Sequence, residues 1–211
     1  WVTSNPDGLK QLSFYHHNFN KILDMKKTLS KIGIPLKQVI IVEHHLAHAA
    51  TAYYLSPWSL DDDVLVLTAD GQGDGLSSTV SIGKKGKIDR LKDSETNARD
   101  SLGEVYSVVT GFLGMHYGFH ASKVMGLAPY GNLTECINQF KKMHGINNAN
   151  PLTFKNKLGG IHLFEQSFRI EKLLHNQRFD NIAAAMQELY ETLMLTWVKN
   201  AIKKTGIHKL A

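Results

Sequence analysis

Between Val42 and Trp58 the chain reads VEHHLAHAATAYYLSPW, with His44, His45 and His48 inside five residues and alanines at 47, 49, 50 and 52. On a helix, His44 and His48 lie four residues apart on one face, a spacing that lets two imidazoles share one metal ion. His45 points about 100° away from His44, so a 45/48 pair is the weaker arrangement. The plain alternative is a helix N-terminus with hydrogen-bonded histidines. A second dense stretch, Asp70-Gly71-Gln72-Gly73-Asp74-Gly75, follows the apolar run VLVLTA. Two imidazoles and the Asp70 carboxylate form an oxygen/nitrogen donor set that suits iron, zinc or manganese. The same stretch resembles the start of a calcium loop, but its twelfth position is Ser81 rather than glutamate and a strand precedes it, which excludes that class of site. No Gly-Lys-Ser/Thr follows, so it is not a Walker loop. Gly71 and Gly73 would expose backbone N–H groups to an anion in a phosphate-binding turn. A hairpin turn explains the same glycines.

The elements around these residues follow from hydrophobic periodicity. Residues 9–32 read as mostly helical, closed by Gly33 and Pro35. Gln38–Val42, QVIIV, reads as a buried strand, and the histidine helix ends near Ser56-Pro57. Asp61–Asp63 mark a surface turn. Val64–Asp70, then LSSTVSIG after the turn GQGDG, then KIDRLKD after GKKG, predict an antiparallel meander. In open α/β sheets ligands bind beyond the carboxyl ends of strands, where the histidine helix and Asp70 would meet. Residues 101–116 form a helix whose glycines imply close packing. Residues 119–131 form a loop with a short helical centre, 132–144 a modest helix, and 145–180 show weak periodicity. The spacing predicts a long, structural helix over 181–204, with Asp180 as N-cap and Gly206 as stop.

Composition bounds the rest. The chain has 211 residues, 43% hydrophobic and 20% charged. No apolar run approaches the roughly 18 residues that span a bilayer, and no secretion signal opens the chain, so no membrane partner is expected. A single cysteine, Cys136, excludes a disulfide framework within the chain and argues against a cysteine-based zinc site; a reducing, cytoplasmic setting fits. The net charge of +5 is scattered over lysine pairs. That suits phosphorylated ligands, and no basic-aromatic module points to nucleic acid. The chain starts at Trp1 and stops just after GIHKLA, which reads like the lead-in to a strand. The expectation is one partial domain, 1–211, cut from a longer protein.

Five stretches carry a resemblance: EHHLAHAATAYYLSPW, VLTADGQGDG, SLGEVYSVVTGFLGM, SKVMGLAPYG and FDNIAAAMQELYE. In order and rough spacing, over roughly residues 38–206, they resemble the carbamoyltransferase family of nodulation-type and antibiotic O-carbamoyltransferases. The resemblance implies an α/β, actin/hsp70/sugar-kinase-like (ribonuclease-H-like) lobe, a mixed sheet with flanking helices, truncated at both ends. It implies an enzyme that uses carbamoyl phosphate and ATP to make carbamoyl-adenylate. The carbamoyl group then passes to a hydroxyl of a small-molecule acceptor. It implies a divalent metal, iron foremost with zinc or manganese as alternatives, held by His44, His48 and Asp70. A further aspartate would come from a later segment this chain lacks. Beside the motif, Lys123 offers a positive charge to nucleotide or carbamoyl oxygen and Gly126 allows close backbone approach. His116 and His120 are candidate bases for the acceptor hydroxyl. The sequence departs from the family at Ser122, where many members have glycine. It also lacks the family's opening His-Asp-Ser element, its glycine-glycine-valine element and its C-terminal adenylate-forming domain. The other readings carried forward are a nucleotide- or metal-binding module without transfer chemistry and a sugar kinase of the same superfamily.

Overall fold

The computed structural model describes residues 25–34, 40, 42–159 and 167–211. The chain divides into two compact units, Trp1–Glu43 and His44–Ala211. In the first, α1 is helical over residues 25–31 and closes at Gly33, whose φ of +83° only glycine adopts freely. The rest of the helix expected over 9–32 lies outside the described residues. So does most of the strand expected at 38–42. Its two described positions, Ile40 and Val42, are not in a strand and are 84% and 51% exposed.

The second unit begins with α2 (His44–Tyr54), which ends before Ser56-Pro57 as the sequence implies. The sheet follows: β1 (Val64–Gly73), β2 (Leu76–Lys84) and β3 (Lys87–Arg90) are antiparallel neighbours in that order, and a short β4 (Thr96–Asn97) also pairs with β2. The expected meander is present, but its turns are tighter than the glycine clusters suggested. Gly73 pairs with Leu76 and Lys84 with Lys87, which leaves two-residue loops. Asp74 and Gly75 take φ of 52° and 84°, and Lys85 and Gly86 take 50° and 70°. Two successive left-handed residues give a turn whose twist matches that of the strands. Residues 70–73 therefore stay in β1, and β3 stops at Arg90 rather than running on to Asp93.

The first half of β1, Val64–Leu67, is apolar without interruption because it is covered on both faces. Val64 and Val66 pack with Ala49 and Tyr53 of α2. Leu65 joins Val80 in the main core, with residues of α3 (Leu102–Phe112) and α7 (Phe179–Thr205). The chain end adds a neighbour of opposite sense. Leu210 forms a parallel bridge with Leu65, and the Leu65 N–H donates to the Lys209 carbonyl at 2.8 Å. The sheet is therefore mixed in direction, and the GIHKLA segment pairs as the sequence suggested.

Beyond the sheet, α3 stops at Phe112, short of the expected 116. α4 (Ala121–Leu127) is the helical centre expected inside 119–131. α5 (Ile137–Met143) occupies the later half of 132–144. The stretch of weak periodicity holds a small antiparallel pair, β5 (His144–Ile146) with β6 (Phe154–Asn156), and α6 (Ser167–Leu174). α7 closes at Gly206 with φ 71°, as expected. Its N-cap is Arg178, not Asp180. Asp180 sits inside the first turn, where an acid favours the helix dipole, and its carboxylate takes the Arg178 guanidinium at 2.8 and 3.1 Å. Among the described residues no helix is long and apolar enough to cross a membrane.

Candidate metal centre

α2 lies on the sheet through His45, Ala49 and Tyr53, one residue per turn, and its alanines let it approach closely. His45 is fully buried, and its Nδ1 shares a 2.9 Å hydrogen bond with the Thr68 hydroxyl, which is 2.7 Å from the Thr79 hydroxyl. His45 is therefore the helix anchor. With His45 facing the sheet, His44 and His48 stand at the helix edge above the end of β1.

The carboxylate reaches them through an irregularity in the strand. β1 and β2 keep one register from Val64↔Gly83 to Ala69↔Ser78, then shift before Gly73↔Leu76, so that residues 70–72 face Ser77 alone. Bulges of this kind bend a strand and re-aim a side chain. Asp70 lies in the bulge. Its Oδ1 accepts the Gly71 N–H at 2.6 Å, and its Oδ2 is 2.9 Å from His44 Nε2 and 3.4 Å from His48 Nε2. The two Nε2 atoms are 3.1 Å apart. Burial alone would raise the Asp70 pKa. The hydrogen bonds from His44 and the Gly71 amide, with the charges of both histidines, outweigh that effect and hold the carboxyl below its ordinary value.

Hydrogen bonds serve this triangle only if one N–H is shared in a three-centre bond. A neutral imidazole carries one N–H, and His44 Nε2 faces both Asp70 and His48. A shared cation would satisfy all three edges at once. Donors about 2.1 Å from one ion stand about 3.0 Å apart at neighbouring octahedral corners and about 3.4 Å apart at tetrahedral ones. The observed separations of 2.9, 3.1 and 3.4 Å fall in that range. The three side chains are 35%, 55% and 44% exposed, so one side of the triangle opens to solvent. Among the described residues these three form the group able to hold a metal ion, with ligand atoms all within 4.8 Å of one another.

The glycines of this stretch act differently from each other. A Cβ at Gly73 would collide with the His44 ring, so the ring's position depends on glycine there. Gly71 has open space at its Cβ position. Its carbonyl accepts the Ser101 hydroxyl at 2.6 Å, and Ser101 also caps α3 by accepting the Glu104 N–H at 3.1 Å. Strand end and helix start are thereby tied together. Beside Asp70 and Gly71 opens a pocket of about 200 Å³, walled by Leu102, Phe154, Tyr190 and Met194 among others. Burial, then the charge of Asp70, raises the Tyr190 phenol pKa.

The remaining sequence candidates form a second cluster. The His116 N–H donates to His120 Nδ1 at 3.1 Å, and His120 Nε2 is 3.2 Å from Lys123 Nζ. With Nδ1 accepting, a neutral His120 carries its proton on Nε2, so two donors face the same point. His116 stacks on Tyr117 with the rings 14° from parallel. None of His116, His120, Lys123 and Gly126 lines the pocket beside Asp70.

Three features escaped the sequence reading. Thr68 is a polar position after the apolar run VLVL, a signal for a buried partner, and Thr79 on β2 faces it. Ser101 opens S-L-G-E, a capping-box pattern. Tyr190 sits in the apolar stripe of α7 and lines the pocket beside Asp70.

Comparison with known proteins gives a consistent picture. Residues 9–211 match the model of the carbamoyltransferase N-terminus. The chain is 31% identical over 230 residues to the uncharacterised protein MJ1058 of Methanocaldococcus jannaschii, with 97% of this chain and 36% of that protein covered. It is 29% identical over 176 residues to the nodulation protein NolNO of Sinorhizobium fredii, covering 82% of this chain and 25% of that protein. It is 28% identical over 172 residues to the nodulation protein NolO of Bradyrhizobium diazoefficiens, covering 80% and 30%. The chain thus spans a quarter to about a third of these relatives' length.

Proposed function

This chain belongs to the carbamoyltransferase family, in the part described as its N-terminus, and on that premise we propose that it forms the metal-bearing part of an actin-like transfer lobe. The lobe accepts carbamoyl-adenylate, made from carbamoyl phosphate and ATP, and passes the carbamoyl group to a hydroxyl of a small-molecule acceptor. The observation that carries this reading is the convergence of His44, His48 and Asp70 from two elements. The mixed sheet, with β1 between an antiparallel and a parallel neighbour, supports the lobe architecture.

His44, His48 and Asp70 would hold a divalent ion, iron foremost, with zinc and manganese suited to the same donors. Such an ion polarises a phosphate or acyl oxygen beside it. The chain's own residues do the positioning. The Gly71 amide fixes Asp70 Oδ1 and leaves Oδ2 turned to the histidines. The His45–Thr68 hydrogen bond holds α2 in place, and Ser101 holds the strand end against α3. The apolar walls of the adjoining pocket, Leu102, Phe154 and Met194, limit water near a hydrolysable anhydride. The facing donors His120 and Lys123 support a role on an anionic oxygen, rather than His120 as a free base at Nε2.

The test uses the full-length protein with radiolabelled carbamoyl phosphate, ATP and a pool of hydroxylated small molecules. Label passes to an acceptor only when ATP is present, and Asp70→Asn reduces transfer at least about hundredfold, beyond the effect typical of an outer-shell change. Transfer unaffected by Asp70→Asn contradicts the proposal.

A further inference from the structure

The three candidate ligands come from two elements, with His44 and Asp70 26 positions apart in the chain. Something must fix the start of α2 against the end of β1. Beside the His45–Thr68 hydrogen bond, one contact does so at the first residue of the helix. Asp74, at the tip of the β1–β2 hairpin, accepts the backbone N–H of His44 through Oδ2 at 2.8 Å. The first N–H groups of a helix have no partner within it. Here the partner comes from a residue 30 positions away, and the N–H it takes belongs to the ligand residue itself. Asp74 holds a φ of 52°, the left-handed conformation that its two-residue loop requires. The hairpin geometry that turns the chain after Gly73 thus also carries the carboxylate to α2. Gly73, next to it, leaves room for the His44 ring, so neighbouring residues set the backbone and the ring of one histidine.

We propose that Asp74 is a positioning residue for the metal centre: its carboxylate docks the His44 amide and sets where His44 Nε2 meets Asp70. The inference rests on the metal-binding reading above. It assigns to the second aspartate of DGQGDG a role distinct from that of Asp70 and distinct from a turn residue. Asparagine keeps an acceptor oxygen and tolerates a left-handed φ, whereas alanine supplies neither. The pair of variants therefore separates acceptor geometry from charge.

The experiment measures Co(II) affinity of the chain by chelator competition. It also records ring 15N–1H correlation spectra of the metal-free protein, for wild type, Asp74→Ala and Asp74→Asn. Asp74→Ala is expected to weaken Co(II) about tenfold, in the range of outer-shell partners, while Asp74→Asn stays within about threefold of wild type. In the metal-free spectra Asp74→Ala shifts the His44 ring nitrogens and leaves those of His120 in place. If Asp74→Ala lowers the melting temperature but changes neither Co(II) affinity nor the His44 signals, Asp74 is a structural cap and the proposal falls. If Asp74→Asn is as damaging as Asp74→Ala on both readouts, docking through the acceptor oxygen is wrong. If wild type binds no Co(II), the metal reading fails, and the His44 ring signals alone decide whether Asp74 positions that side chain.

Discussion

Two regions of the molecule carry histidines four residues apart, and they end differently. His44 and His48 project from α2 onto a carboxylate delivered by a bulge in β1, 26 residues beyond His44. His116 and His120 meet each other and Lys123, all within eight residues of chain, at an exposed turn leading into α4. The first pair gains a carboxylate from a second element and a buried neighbour, His45, that pins its helix. The second pair spends a ring nitrogen on a local backbone N–H and faces a cation. Spacing alone distinguishes neither. What separates them is whether another element brings an anion to the face that the spacing creates.

The contrast can be broken at the anchor. His45→Ala removes a fully buried ring and its hydrogen bond to Thr68, and is expected to cost roughly 3–4 kcal/mol in urea unfolding. His116→Ala, at the exposed cluster, should stay within about 0.5 kcal/mol. Equal costs would mean that α2 is not held through His45.

A third histidine sharpens the distinction between buried and open imidazoles. His144 is buried, its Nε2 lies 2.9 Å from the Asp100 carbonyl, and its Nδ1 has no hydrogen-bond partner among the described residues. Burial lowers its pKa from 6.5 to about 4. The unfolded chain therefore binds a proton near pH 6.5 that the folded chain refuses until about pH 4. Stability from this group is complete above pH 6.5 and declines as pH falls towards 4, by about 3 kcal/mol in all. Urea unfolding at pH 7.5 and 4.5 should show that loss, and His144→Asn should remove most of the pH dependence. An unchanged pH dependence in the variant would assign it to other groups.

Glycines offer the smallest effects and the cleanest pairing. Gly73→Ala forces the His44 ring aside and should weaken metal binding about tenfold, as loss of a supporting contact does. Gly126→Ala adds a methyl group where nothing lies within 4 Å, inside α4, and should stabilise the chain by about 0.5–1 kcal/mol with metal affinity unchanged. A loss of metal on Gly126→Ala would tie the α4 region to the centre after all.

Much of this was legible in the chain. The apolar run at Val64 reads as a buried strand, the segment from Leu76 reads as its hairpin partner across the GQGDG turn, and α7 reads from its stripe and its Gly206 stop. The His44/His48 face follows from helical geometry. What the sequence does not display is the register shift between Ala69 and Gly73. Periodicity gives which face a strand residue takes, but an irregular pairing depends on the partner strand, and it is this irregularity that re-aims Asp70. His45 was undervalued because a histidine on a polar-looking triplet gives no sign of burial; only Thr68, polar in an apolar strand, hints at its partner. Asp180 reads as a cap in the sequence but lies inside the first turn, because an acid at a helix start is favourable on either side of the boundary. β5 and β6 are three residues each, too short for periodicity to register.

The most direct measurement is the metal content of the purified chain by plasma mass spectrometry, in wild type, His44→Ala/His48→Ala and His116→Ala/His120→Ala. The account predicts about one equivalent of iron, zinc or manganese in wild type, the same in the 116/120 double variant, and none in the 44/48 double variant, because one ion needs all three donors. Metal retained without His44 and His48, or lost without His116 and His120, would contradict it.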